Sequence, residues 1–305
     1  EMRDGVAYAT DWWAIIFNPS MPYRVSHMLL ASGLTTAFFV AGISAYRILK
    51  GDNKVSAKMA LNFAMIVAAI LIPIQMFVGD LHGLNTLKHQ PAKIAAMEGI
   101  WQTSNEVPLL LFAIPDEKQK TNHFEIAIPK MASIILTHDS SGEIQGLNEF
   151  VGKHPPVAPV FYSFRLMIAM GMLMLATAWL GCYFFIHKKQ YPNLLLKGTV
   201  LMTFSGWIAT LAGWYVTEIG RQPYLVTGIL RTRDAVTTTP PENIGISLAM
   251  YLLLYGFLLF AYIRTLFVMA YRAINLEQNN PSIDDMQNDT LSADESTQSL
   301  TRKHS

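Results

Sequence analysis

Five stretches of the chain are apolar for long enough to cross a bilayer, which takes about 20 helical residues. They cover residues 25–49, 57–79, 160–186, 194–219 and 244–271. Helix is the form they predict, because a segment in lipid must satisfy its own backbone hydrogen bonds. Pro73, late in the second stretch, predicts a kink or an end there. The polar stretches between them differ sharply. Residues 51–56 and 187–193 are short. Residues 80–158 are long, carry scattered charges and prolines, and are too polar for lipid. Residues 221–243 form a shorter connection with Arg221, Arg231 and Arg233. From residue 273 the chain is rich in Asn, Asp, Ser and Gln and reads as a disordered tail. The pattern predicts an all-α polytopic membrane protein with about five transmembrane helices and one long loop. Its parts are 1–79, 80–158, 159–272 and 273–305.

Composition agrees. Hydrophobic residues make up 51% of the chain and charged ones 15%, against a usual charged share of about a quarter. A net charge of +1 gives no reason to expect nucleic acid. Cys182 is the single cysteine, which excludes a disulfide framework, a cysteine zinc site and a Cys-x-x-Cys-His haem attachment. Lys50, Lys54 and Lys58 flank one short connection, and Lys188, Lys189 and Lys197 the other. The positive-inside rule makes that side cytoplasmic. The amino end and the long loop then lie outside and the tail inside. Arg221, Arg231 and Arg233 run against this count and read as site residues. The chain starts at Glu1, and no signal peptide precedes the apolar segments. It reads as the carboxy-terminal portion of a longer protein.

Candidate chemistry sits in few places. His27 is the one histidine of eight inside a predicted span. Imidazole is a strong iron ligand, although a histidine near a helix end also fits a bond to a carbonyl or water. Met167, Met170 and Met174 form a helical stripe that suits core packing. Arg165 in the same span is harder to explain by packing. Trp207, Trp214 and Glu218 share one helical face, with Arg221 three residues on. An interfacial aromatic belt with a surface Glu–Arg pair is the plain alternative. In the long loop, Lys93 and Glu98 fit a short amphipathic helix with solvated charges, or a site that pairs a proton acceptor with a hydrogen-bond donor.

Six wordings occur in order: Ser26-His27-Met28 with Ala31-Ser32-Gly33, Gln90 through Trp101, and Asn122-His123-Phe124 with Ile128-Pro129. Then come Phe164-Arg165-Leu166-Met167, Gly213-Trp214 with Glu218-x-Gly220-Arg221-Gln222-Pro223, and Gly228 through Val236. Together they resemble subunit I of the cytochrome bd quinol oxidases, over the chain to about Arg272. Tyr224 departs from the tryptophan usual after Gln-Pro, and the loop lacks the long insertion of some members. The resemblance implies that His27 and Met167 ligate a low-spin haem b, with Arg165 close to it at a propionate or haem edge. It implies that Glu218 ligates a high-spin haem b beside haem d, or a b-type haem in its place, with Trp214 and Arg221 nearby. Lys93 and Glu98 are implied in quinol oxidation. The family's haem d histidine and acidic proton path have no counterpart here.

The expected protein is thus a quinol:oxygen oxidoreductase subunit of a bacterial inner membrane. It would oxidise ubiquinol or menaquinol outside and reduce oxygen to water, electrogenic without proton pumping. Expected partners are subunit II, a small single-span subunit and membrane lipid. Haem-copper oxidases and bc-type cytochromes b need several intramembrane histidines, and one is available. A non-catalytic transporter or scaffold with a buried Arg/Glu pair is the rival from another class.

Overall fold

A computed structural model describes the chain except for residues 1, 4, 5, 53, 54, 236, 238 and 280–305. The expectations for Lys54, for Val236 and for the tail from 280 onward lie outside the described residues. The chain forms two compact units, residues 1–42 with 60–238, and residues 43–59 with 239–305.

Nine helices occur among the described residues. α1 (Trp12–Ile16) is a single short turn before α2 (Met21–Leu49). α3 (Val55–His89), α4 (Pro91–Glu98) and α5 (Met131–Thr137) follow. α6 (Val157–Tyr183) runs on through a π-helical turn at Phe184–Lys188. α7 (Asn193–Leu201) and α8 (Ser205–Ile219) are joined by a tight turn at Met202–Phe204. α9 (Pro241–Asn279) is last. Five helical stretches are long and apolar enough to span a bilayer: α2, α3, α6 with its π turn, α7 with α8, and α9. These are the five read from the hydropathy pattern. The last helix runs several residues past the boundary at 272.

Pro73 does not end the second helix. It lacks an N–H for the carbonyl of Ala69, four residues back. Trp179 of α6 supplies the missing donor, its Nε1 lying 3.3 Å from Ala69 O. With that carbonyl satisfied, α3 continues ten residues beyond the expected end at 79 and carries His82 with it.

In the first unit, four spans close into a ring through small residues. A methyl on Gly33 of α2 would meet Leu71 of α3, and one on Gly181 of α6 would meet Met65 of α3. Likewise Gly213 of α8 faces Met167 of α6, and Gly206 of α8 faces Thr35 of α2. Each helix therefore touches the next, and α2 and α6 stand diagonally opposite. Lipid gives helices no hydrophobic reason to associate, so close backbone approach at small residues does that work. Leu34, Phe38, Ala68, Ile72, Met174 and Ala178 fill the centre.

The long connection between α3 and α6 folds over one end of this ring. α4 buries Ile94, Ala95, Ala96 and Met97 against Val157 and Val160 of α6 and Val216 of α8. Beyond it, strands Leu109–Asp116 and Thr121–Ile128 pair as an antiparallel hairpin. Strands Ser104–Asn105 and Glu143–Ile144 make a second short pairing. The loop thus adds small β elements that the sequence reading did not expect. Ser133 knots it internally, its Oγ donating to Gly142 O and accepting from Val107 N.

In the second unit, Tyr46 meets Phe267 of α9 edge to face at 5.0 Å. Arg47 and the buried Asp52 form an ion pair at 2.7 Å.

Candidate functional site: bundle ligands and a docked loop

His27 sits near the loop end of α2, against α3. Gly79 makes room for it, since a methyl there would lie 3.2 Å from its Cε1. Gln75, one turn earlier on α3, places its amide nitrogen 3.2 Å from His27 Nε2. The His82 ring lies 5.8 Å from that of His27. Neither Gln75 nor His82 stood out in the sequence. The expected helix end at 79 hid His82, and Gln75 carried no motif.

The glycine contacts fix relative heights. Gly181 of α6 meets Met65 of α3. The two helices are antiparallel, and fourteen residues towards the loop end lead to Met167 on one and Gly79 on the other. Gly79 touches His27. A second route runs through α8. Thr35 of α2 meets Gly206, and eight residues on lead to His27 and Trp214; Gly213 beside Trp214 touches Met167. Both routes put His27 and Met167 at one level, on diagonally opposite helices. Glu218 lies five residues beyond Gly213, about 7 Å nearer the loop at 1.5 Å per residue.

At that end Glu218 pairs with Arg221. Both are about two-fifths exposed, so the pair by itself matches the plain surface reading. Trp214, expected beside Glu218, is exposed and tilted against Tyr215. Lys93 of α4 arrives from the loop. Its Nζ donates to Thr217 O at 3.4 Å, and its stem lies against Gly220. Burial drives the Lys93 ammonium down to about 8, helped by the charges of Arg24 and Arg221 and opposed by Glu218. Three cations and one carboxylate therefore share this corner. Lys93 also supplies a cation at the C-terminal end of α8, where carbonyls lack partners.

Glu98 points elsewhere. It lies buried at the end of α4 with an oxygen 2.8 Å from Arg165 Nη2. Arg165 also donates to Leu110 O at 2.6 Å and to Met97 O at 2.9 Å. Its guanidinium stacks over Phe161, 4.4 Å from the ring centre. Expected at a haem edge, Arg165 instead commits three of its five N–H groups to the loop. Burial pushes the Glu98 carboxyl above the usual range, and the Arg165 charge and hydrogen bond pull it back. Gly99 then ends α4 with φ of 68°, and a side chain there would press on Phe161. Glu98 and Gly99 line a cleft of about 200 Å³ with Trp101, Leu110, Asn122 and Glu125. Asn122 frames it, accepting from Trp101 Nε1 and donating to Gly99 O. Lys93 and Glu98, expected to serve one reaction together, face two different places.

The family model described as "Cytochrome bd terminal oxidase subunit I" matches residues 1–274. The chain belongs to that family. It is similar to the "Cytochrome bd ubiquinol oxidase subunit 1" of Bacillus subtilis (strain 168), with 30% identity over 283 residues. That match covers 86% of this chain and 60% of the relative. It is similar to the "Cytochrome bd-II ubiquinol oxidase subunit 1" of Escherichia coli (strain K12), with 26% identity over 83% of this chain and 62% of the relative. Among solved structures it resembles the bd oxidase from Geobacillus thermodenitrificans. The TM-score is 0.82 at 30% identity, over 90% of this chain and 63% of that one. The chain spans about 60% of the length of the curated relatives it matches.

The family implies haem, and the donors present fit it. Imidazole and thioether stand level across a bundle with glycine on each side. His27 Nδ1 and Arg221 Nε are buried without a hydrogen-bond partner, and the Arg24–Lys93–Arg221 corner has cationic charge to spare for carboxylates.

Proposed function

We propose that the chain is the quinol-oxidising, haem-carrying subunit of a bd-type terminal oxidase in a bacterial membrane. The observation that carries this reading is the common level of His27 and Met167 on opposite helices. His27 and Met167 would hold the iron of a haem b, and an imidazole with a thioether would suit that haem to relaying electrons. Glu218 would hold a high-spin haem b beside haem d or a b-type substitute, and Arg221, Lys93 and Arg24 would hold porphyrin carboxylates. When bound, the haems supply the electron transfer and oxygen reduction.

The chain's own residues do the rest. The cleft at Glu98 takes the head of ubiquinol or menaquinol. It is smaller than the usual ~300–1,000 Å³ of ligand pockets, which suits one ring with its tail outside. Glu98 accepts a hydroxyl proton, and burial, opposed by Arg165, raises its pKa and so favours the protonated form. Asn122 holds the cleft wall. The long loop lies outside and the tail inside, so protons released at the loop and taken up from the cytoplasm make turnover electrogenic without pumping. Subunit II and a small single-span subunit complete the assembly.

The test is spectral, in the assembled oxidase. His27→Ala abolishes the low-spin haem signal, and Met167→Leu converts it towards high spin. An unaltered low-spin haem in both variants would place the ligands elsewhere.

A further inference from the structure

The hairpin of the long loop exposes apolar side chains to an extent that a water-facing loop does not. Phe112 is 46% exposed, Ile114 43%, Phe124 79% and Ile126 59%. Phe112 and Ile126 stand directly opposite each other across the strands. Contiguous exposed apolar surface marks a contact site, and the hairpin's height in the fold says with what.

Three bonds fasten it to the first turns of α6. Val157 N donates to Glu117 Oε1 at 2.6 Å, Tyr162 OH to Ala113 O at 3.1 Å, and Arg165 Nε to Leu110 O at 2.6 Å. Tyr162 lies five residues outward from Met167, so the middle of the hairpin is about 7 Å above the His27–Met167 level. An independent marker stands at nearly that height. Asn85 of α3 donates to Pro19 O at 3.3 Å. Asn85 is six residues outward from Gly79, about 9 Å above the same level. Pro19 belongs to the turn joining α1 to α2. α1 exposes Trp12 at 67% and Trp13 at 73%, with Phe17 stacked on Trp13. Tryptophan clustered beside the end of a span belongs to the headgroup layer, where an amphipathic ring is at home. The hairpin is therefore level with the aromatic belt. Tyr162, which bonds the hairpin, and Leu166, one turn further along α6, are themselves 41% and 47% exposed.

We propose that the hairpin lies in the headgroup–acyl boundary with Phe124 and Ile126 in lipid, bringing the cleft mouth to the membrane surface. Leu110 and Asn122 belong to the hairpin and also line the cleft. On the quinol reading above, an apolar-tailed substrate then reaches Glu98 without leaving lipid.

The experiment uses nitroxide labels at Phe124→Cys and Ile126→Cys. The background is Cys182→Ser, in the assembled oxidase reconstituted in phosphatidylcholine–phosphatidylglycerol vesicles. Lys118→Cys, at the exposed hairpin tip, serves as the water-facing reference. At 124 and 126, collisions with oxygen should exceed those with a water-soluble nickel chelate, the reverse of 118. Nickel access at 124 and 126 equal to that at 118 would overturn the proposal in favour of water. Exclusion of both reagents would overturn it in favour of a covering protein subunit. None of these readings depends on quinol turnover, so failure here is distinct from failure of the functional assignment.

Discussion

The bundle and the loop are held by opposite means. In the ring of α2, α3, α6 and α8, many weak contacts at small residues set the heights of His27 and Met167. The docking of the loop depends on few strong bonds, and one side chain, Arg165, supplies three of them. Errors in the bundle are shared among many neighbours. An error at Arg165 is not shared. The pair proposed to hold haem should therefore resist single substitutions elsewhere in the bundle, whereas the cleft proposed for quinol should be lost through one.

Arg165→Met tests that difference most strongly. It leaves Glu98 buried without its cation and frees two backbone carbonyls. Removing one partner of a buried pair costs about 3–5 kcal/mol, enough to undock a loop. Quinol KM should rise and turnover fall together, while the Met167-dependent haem spectrum survives. Glu98→Gln sharpens the same point. Its amide oxygen still accepts from Arg165, so the loop stays docked and only proton acceptance is lost. Turnover should fall by roughly 10²-fold or more with KM little changed. Equal kinetic profiles for the two variants would mean that docking and proton transfer are not separate functions of this corner.

A smaller effect is expected from Gly213→Val. The added methyls would press on Met167 Sδ, already close to where a Cβ would stand. Overpacking costs about 1–3 kcal/mol, and the neighbours can share it. The low-spin signal should broaden or become partly high-spin, without disappearing. Complete loss would show that the bundle is as brittle as the loop.

The same contrast decides what the sequence could reveal. Hydropathy runs predict the five spans because lipid demands about 20 apolar residues of any helix, whatever its neighbours. Pro73 misleads, since its effect depends on whether another helix can satisfy Ala69 O; Trp179 lies 110 residues away in sequence. His82 was lost with that helix end. Met167 and His27 could be paired in advance through the family wording, but their common level rests on glycine contacts that only the fold shows. Arg165 was singled out as a charge in a span that packing does not explain. Its partners are backbone carbonyls of Met97 and Leu110, and a carbonyl leaves no mark in a sequence. Lys93 and Glu98 sit five residues apart on one short helix, so helical rotation sends them to different faces. Proximity in sequence was no guide to a shared role.

Lys93 gives the subtlest test, because it joins the two regions. Its ammonium is buried beside Thr217 O with two arginines near it. The group titrates at about 8 in the folded chain, down from an ordinary 10.5. A depressed lysine pKa means that the unfolded chain binds the proton more tightly, so stability rises with pH between the two values. Below about pH 8 the charged lysine costs the fold its full penalty. From about 8 to 10.5 that penalty, at most about 3 kcal/mol, fades. In the haem-free chain, protection of the loop from limited proteolysis should therefore improve from pH 7.5 to 9.5 and stay flat in Lys93→Met. Lys93→Arg, which keeps its charge throughout, should remain at the lower level. The haem-loaded oxidase should show the opposite slope, protection weakening as pH rises, because the carboxylates proposed for this corner would hold the ammonium with more negative charge than Glu218 provides. The direction of one pH slope thus distinguishes a lysine that merely caps α8 from one that ties the loop to the bundle through its cofactor.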